Sequence, residues 1–221
     1  MGTIFVELLP LIAGAALLPI WIIMTLFLLR GEGGVGKASA FVAGATIVRM
    51  IQGLLFGFVL ETGSDSGESG IVGATLLLVA GIAMLITAYK KWRKEEDPDA
   101  PPPRWMELLQ ELSALKAFGV GALLMAVALK QWVFTLSAVA IIEAAAAGLG
   151  ASVAAFLVFV VGAQILVAAP IVAYAAAPGP AGKALDALHG WLARNDRVIL
   201  VAVSLVFGLW FSWKGVVGLL G

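Results

Sequence analysis

Six stretches of roughly twenty or more apolar residues, each bounded by polar or charged breaks, constrain this chain more than any other feature. They cover residues 4–29, 38–60, 71–89, 117–145, 151–176 and 198–220. A bilayer core about 30 Å thick takes roughly 20 apolar residues per helix. The expected fold is therefore an all-α integral membrane protein with six transmembrane helices, and no water-soluble domain fits between them. The first stretch is too long for a cleaved signal segment and lacks a basic run before it, so it is expected to span. Composition agrees: 62% of residues are hydrophobic and 13% charged, against roughly 45–50% and about 25% in soluble domains. Fourteen Lys plus Arg balance fourteen Asp plus Glu, and there is no Cys. A strongly basic nucleic-acid binder, a disulfide scaffold and a thiolate metal site are thereby excluded.

The charges between the stretches give an orientation. Arg30 and Lys37 follow the first; Lys90, Lys91, Arg93, Lys94, Arg104 and Lys116 follow the third; Lys183, Arg194 and Arg197 follow the fifth. The alternate breaks, 61–70 and 146–150, hold no Lys or Arg. Cationic loops stay on the cytoplasmic side, so both termini are expected outside. Tyr89, Trp92, Trp105, Tyr174 and Trp191 then gather at the inner interface and Trp213 near the outer one. Trp21 and Trp132 fit neither belt.

The longest loop divides the chain into an expected first repeat (1–89), a cytoplasmic linker (90–116) and a second repeat (117–221). Four prolines in 97–103 make an extended connector. After it, Trp105, Leu108, Leu109, Leu112 and Leu115 recur at helical spacing, as in a helix lying in the headgroup layer. A weaker stripe, Leu185, Leu188 and Leu192, precedes Asn195 and Asp196, which are expected to cap the last span. Packing of both stripes against the protein's own inner ends is the alternative.

Six spans split into two sets of three, and an odd number makes the second set enter from the opposite side. The halves match in order: LPIW ending at Trp21 with LKQW ending at Trp132, FVAGATIV from Phe41 with FVVGAQIL from Phe159, and LVAG from Leu78 with LVFG from Leu205. The expectation is a 3+3 inverted repeat, with a substrate site near the midplane where helices are interrupted. Pro19 interrupts the first span and Lys130-Gln131 the fourth. Trp21 and Trp132 follow these interruptions and read as site residues, or as large side chains filling a packing gap.

Arg49 and Lys130 lie about eleven and thirteen residues from the inner ends of their spans, or roughly 16–20 Å deep. Even a lenient insertion scale assigns each a cost of about 2.5–3.5 kcal/mol. No Asp or Glu is expected at that depth, whereas Gln52, Gln131, Gln164, Thr46, Thr135 and Ser137 are. Guanidinium and ammonium with amide orienters suit an anionic ligand group such as a carboxylate, phosphate or sulfate. The rival is structural: both cations would bond to backbone carbonyls freed at the helix breaks. Glu7, Glu143 and Lys214 fall near the outer ends, within reach of water. The single His, His189, sits in a loop, so no zinc-binding His pair and no His relay across the membrane is present. GEGGVGK from Gly31 lacks the terminal Ser or Thr of a phosphate loop and follows a helix, so it reads as a turn. No enzyme activity and no cofactor is expected.

Several of these stretches resemble the peptidoglycolipid- and sulfolipid-addressing proteins of actinobacteria, the GAP family of the lysine exporter superfamily. The resemblance rests on the Pro19 region with its apolar run and Gly-containing basic turn, the connector with its Trp-Leu helix, AFGVGALLMAVALKQW, AAPIVAY around Pro170, and ALHGWLARND. It implies a six-span exporter in the bacterial cytoplasmic membrane that moves glycolipids or other amphipathic or small polar solutes. The family's Asn-Pro-Lys is here Ala128-Leu129-Lys130, so only the Lys carries over and the Pro-made break is not encoded. The expected function is secondary transport of an anionic amphiphile or small polar solute by alternating access around Arg49, Lys130, Gln164, Gln131, Gln52, Pro19, Trp21 and Trp132. A scaffold that recruits a lipid synthesis or export partner through the linker is the alternative. Membrane lipids, the substrate and a second copy of the chain in a homodimer are the expected partners.

Overall fold

The computed structural model describes residues 2–63, 69–93 and 111–220. Among these the chain is all helical: α1 (Gly2–Ala16), α2 (Pro19–Arg30), α3 (Gly34–Gly63), α4 (Ser69–Arg93), α5 (Ala114–Val127), α6 (Leu129–Ala144), α7 (Leu149–Ala176) and α8 (Pro178–Leu220). The proline connector and most of the expected Trp105 surface helix lie outside the described residues. What is described of that stretch is its end, where Ser113 caps α5 by accepting from the Lys116 N–H.

Among the described residues, three helices are each long and apolar enough to cross a membrane: Gly34–Gly57 within α3, Leu149–Ala176, and Arg194–Leu220 within α8. Two bent pairs, α1 with α2 and α5 with α6, raise the number of candidate spans to five. The expected third span falls within α4, parts of which lie outside the described side chains.

Both bent pairs coincide with the expected first and fourth spans, and their causes differ. α1 and α2 meet at 53°. Leu18 is extended at φ −77°, ψ 107°, with Pro19 opening α2. A proline drives the residue before it out of the helical region and is itself well placed at the first helical position. α5 and α6 meet at 70°, with Ala128 at φ −78°, ψ 84° and no proline nearby. The break is therefore present without the family's Asn-Pro.

Close packing depends on glycine at two crossings. A Cβ on Gly44 would collide with the Phe118 carbonyl oxygen, and one on Gly121 with that of Phe41. These two residues let α3 and α5 touch backbone to backbone, as small residues do in membranes where no hydrophobic force draws helices together. α4 and α8 run side by side in the same manner. A Cβ on Gly81 would lie 2.5 Å from the Ser212 nitrogen, and one on Gly208 2.9 Å from the Leu85 side chain.

The last helix corrects an expectation. A separate surface helix ending at an Asn195-Asp196 cap is replaced by one 43-residue helix. Asn195 Nδ2 donates back to the Trp191 carbonyl at 2.8 Å, and Asp196 pairs with Lys91 at 3.2 Å. Both side chains have partners that leave the helix intact, and no Gly or Pro interrupts 191–198. At 1.5 Å per residue the helix is about 65 Å long, twice the apolar core. The candidate span within it is Arg194–Leu220, and the first third of the helix lies before that span. There Asp186 meets Arg30 of α2 at 2.7 Å, and the His189 ring stands edge-on to Phe27 at 4.8 Å. The GEGGVGK stretch is a tight turn, with Gly33 at φ +66° and α3 already begun at Gly34.

Candidate functional site

Arg49 is fully buried, among the largest side chains in the core. Its Nη2 donates to Gln131 Oε1 on α6 and lies 4.0 Å from the Met125 sulfur on α5. Its guanidinium also covers the Phe159 ring of α7 at 5.7 Å, a cation–π contact of the kind strengthened by desolvation. One side chain of α3 thus ties together both halves of the second bent pair and α7.

The glutamines do the work of closing the broken helices. A break leaves carbonyls without their N–H partners four residues on, and in a membrane those must be satisfied internally. Gln52 Nε2 donates to the Met125 carbonyl at 3.3 Å, and Trp132 Nε1 donates to that of Ala126 at 2.8 Å. Gln131 Nε2 donates across to the Ala15 carbonyl, at the end of α1, at 3.3 Å. The two breaks are therefore linked through Gln131, which serves Ala15 with its nitrogen and Arg49 with its oxygen. Among the described residues, no hydrogen bond reaches Arg49 Nε, Arg49 Nη1 or Gln52 Oε1.

Lys130 goes elsewhere. It is half-buried and its Nζ donates to Ser204 Oγ on α8 at 3.2 Å. The charges whose field reaches it are Asp196 and Lys91, themselves an ion pair. Adjacent residues on a helix project about 100° apart, so Gln131 turns to Arg49 while Lys130 turns to α8. The two cations that share a depth in the sequence do not share partners in the fold.

Gln164 Nε2 donates to Thr46 Oγ1 at 2.9 Å, joining α7 to α3 one turn before Arg49. Trp21 is buried with its ring 5.6 Å from Phe41, while half-buried Trp132 stands edge-on to Phe56 at 5.4 Å. Counted from the breaks, Trp21 is the third residue of α2 and Trp132 the fourth of α6, so the two rings leave their helices in different directions. Counted the same way, Thr25 and Thr135 are equivalent. Both are fully buried and both bond the carbonyl four residues back, at 3.0 and 2.9 Å.

Sequence reasoning missed Phe159, Met125 and Ser204. Phe159 was within reach as the first residue of the FVVGAQIL match. Ser204 stood out only as a hydroxyl in an apolar run, and Met125 carried no signal.

No curated protein and no solved structure matches the chain. A family model described as Sap, sulfolipid-1-addressing protein, does match, over residues 8–217. It covers most of the first bent pair, all of the second, Arg49 and the glutamines around it, and on that coverage the chain belongs to the sulfolipid-1-addressing protein family.

Proposed function

We propose that the protein is a secondary transporter of the bacterial cytoplasmic membrane that exports an anionic amphiphile, with Arg49 as the seat of the anionic group. The observation that carries this reading is the unfinished hydrogen bonding of Arg49. A structural arginine at a helix break would spend its donors on the freed carbonyls, yet Gln52, Gln131 and Trp132 already occupy three of these. Two donors of a permanently charged, fully buried group remain, and leaving them unmatched costs about 1–3 kcal/mol each. An oxyanion accepts from both, and a guanidinium is the side chain suited to grip it through two parallel bonds. A hydroxyl beside that oxyanion would donate to Gln52 Oε1, so a sulfated or phosphorylated sugar completes the set.

The proposed architecture is six spans in two inverted sets, with both termini outside. Support comes from positions paired by the repeat. Thr46 and Gln164, equivalent in FVAGATIV and FVVGAQIL, hydrogen-bond to each other. Gly81 and Gly208, equivalent in LVAG and LVFG, face each other where α4 crosses α8, a Cβ on Gly81 lying 2.8 Å from the Gly208 carbonyl oxygen. Equivalent residues touch when they lie on a two-fold axis. Alternating access would rock one set on the other about the bent pairs, and a homodimer belongs to the same proposal.

The test is translocation of fluorescent phosphatidylglycerol in proteoliposomes, read by dithionite quenching, with phosphatidylcholine as control. Wild type is expected to move the anionic lipid selectively, and Arg49→Gln to reduce that rate by about tenfold or more. Equal rates in wild type and Arg49→Gln would remove Arg49 from the mechanism.

A further inference from the structure

A groove of about 390 Å³ opens between α3, α6 and α7, its lining mostly apolar, Met50, Gly53, Gly57 and Phe156 among it, with Glu143 and Ser152 as its polar members. Met50 follows Arg49 directly, and Gly53 sits four residues on, the same face of α3 one turn away. The deep end of the groove therefore adjoins the stretch of helix that carries the guanidinium. What stands between them is aromatic. Phe156 rests on Gly53 so closely that any Cβ there would collide with its ring. It meets Phe159 at 6.1 Å, and Phe159 is the ring beneath Arg49. On the open side Leu54, Val153 and Leu157 are 72%, 50% and 42% exposed, an apolar rim facing the hydrocarbon.

Neither feature is complete alone. A small inorganic anion would match the donors of Arg49 and leave the groove unfilled. A neutral chain would fill the groove and leave the donors unmatched. One molecule with an anionic head and a hydrocarbon tail satisfies both, because head site and groove are separated by a single turn of α3 and the neighbouring rings of Phe156 and Phe159.

We propose that this groove seats a hydrocarbon chain of an anionic membrane lipid whose head group meets Arg49, with Phe156 on Gly53 as the partition that the lipid displaces. The assignment rests on the reading of Arg49 as the anion site. It selects a lipid over a small polar solute, and it gives the chain a lateral path, so that only the head crosses the protein interior.

Gly57 supplies a clean test, since a Cβ there meets nothing within 4 Å. Gly57→Leu fills the groove without a backbone clash. Gly119→Leu, on α5 and equally unobstructed, is the control. The full chain in phosphatidylcholine nanodiscs is labelled with phosphatidylglycerol carrying a photoactivatable group at its chain end, and the adducts are mapped. Label is expected on 50–57 and 149–157, displaced by excess phosphatidylglycerol and not by phosphatidylcholine. It should fall about tenfold in Gly57→Leu, fall also in Arg49→Gln, and persist in Gly119→Leu. Equal labelling by a phosphatidylcholine probe with the same chain would mean ordinary boundary lipid and overturn the proposal. So would undiminished labelling in Gly57→Leu. If phosphatidylglycerol translocation depends on Arg49 while the groove stays unlabelled, the anion site stands and the chain site falls. If labelling survives Arg49→Gln, the link between head site and groove is overturned.

Discussion

The two bent pairs are alike in outline and opposite in cause. The first break is local: Pro19 makes Leu18 extended, and the bend would form in the isolated segment. The second is tertiary: Ala128 has no proline beside it, and Leu124 to Trp132 would run on as a helix by propensity. It is held open from outside, by Gln52 and Trp132 on its freed carbonyls and by Gln131 bridging to Arg49 and Ala15. A locally written break is rigid, whereas one held by side chains can close when those side chains change partners. Of the two breaks, the second is therefore the one that the proposed ligand would move.

The largest effect should come from Gln131, which serves both breaks. Gln131→Leu removes the acceptor of Arg49 Nη2 and the donor to Ala15 at once, leaving a buried charge without a neutral partner. We expect a loss of about 3–5 kcal/mol, read by thermal or denaturant unfolding in detergent. Arg49→Leu removes the charge as well as the contact and should cost less than Gln131→Leu. If Arg49→Leu proved the more damaging, Arg49 would be a structural strut of the second break, and its reading as an anion site would fall.

Gln52→Leu is the narrower probe. It unbinds the Met125 carbonyl alone and is expected to cost about 1–2 kcal/mol. Spin labels on α5 and α6 should report a smaller bend or a broader distance distribution, while labels on α1 and α2 stay unchanged. A change at the first pair would show that the link through Gln131 carries movement from one break to the other.

The far end of α2 offers a comparison by pH. His189 packs edge-on against Phe27 beside the Arg30–Asp186 pair. Burial holds its imidazole below the ordinary histidine value, Arg30 adds to the shift and Asp186 opposes it. The unfolded chain therefore takes up the proton first as pH falls. The contribution of neutral His189 is complete above about pH 6.5 and is lost as pH drops through the lower folded value. Wild type should lose thermal stability across that window and His189→Gln should lose less of it. Parallel curves would place the acid sensitivity elsewhere.

What the residues disclosed, and what they hid, follows the same division. The apolar stretches, the Pro19 break and the burial of Arg49 are written in short windows, because hydropathy, ring constraint and charge act locally. The partners of Lys130 and Arg49 are not. Both cations lie at one depth in one apolar background, and only the rotation of α6 about its axis sends Gln131 to α3 and Lys130 to Ser204. The continuity of α8 was masked by Asn195 and Asp196, whose cap chemistry is equally served inside a helix by the Trp191 carbonyl and by Lys91.

The smallest expected effect is also the sharpest comparison. Leu129 opens α6 and is 80% exposed, and Ala128 before it, at φ −78° and ψ 84°, has already left the helical region that a following proline disfavours. Leu129→Pro would convert the tertiary break into a local one while touching none of the contacts that hold it. Proline at a first helical position sacrifices no intrahelical bond, and where the native φ fits, it stabilises by about 0.4–1 kcal/mol through the unfolded chain. The fold should therefore be unharmed or slightly firmer, and the distance distribution between α5 and α6 should narrow. If movement at this break is part of transport, phosphatidylglycerol translocation should slow in Leu129→Pro although labelling of the groove is retained. Unchanged translocation with a narrowed distribution would show that the second break works as a fixed elbow, as the first does.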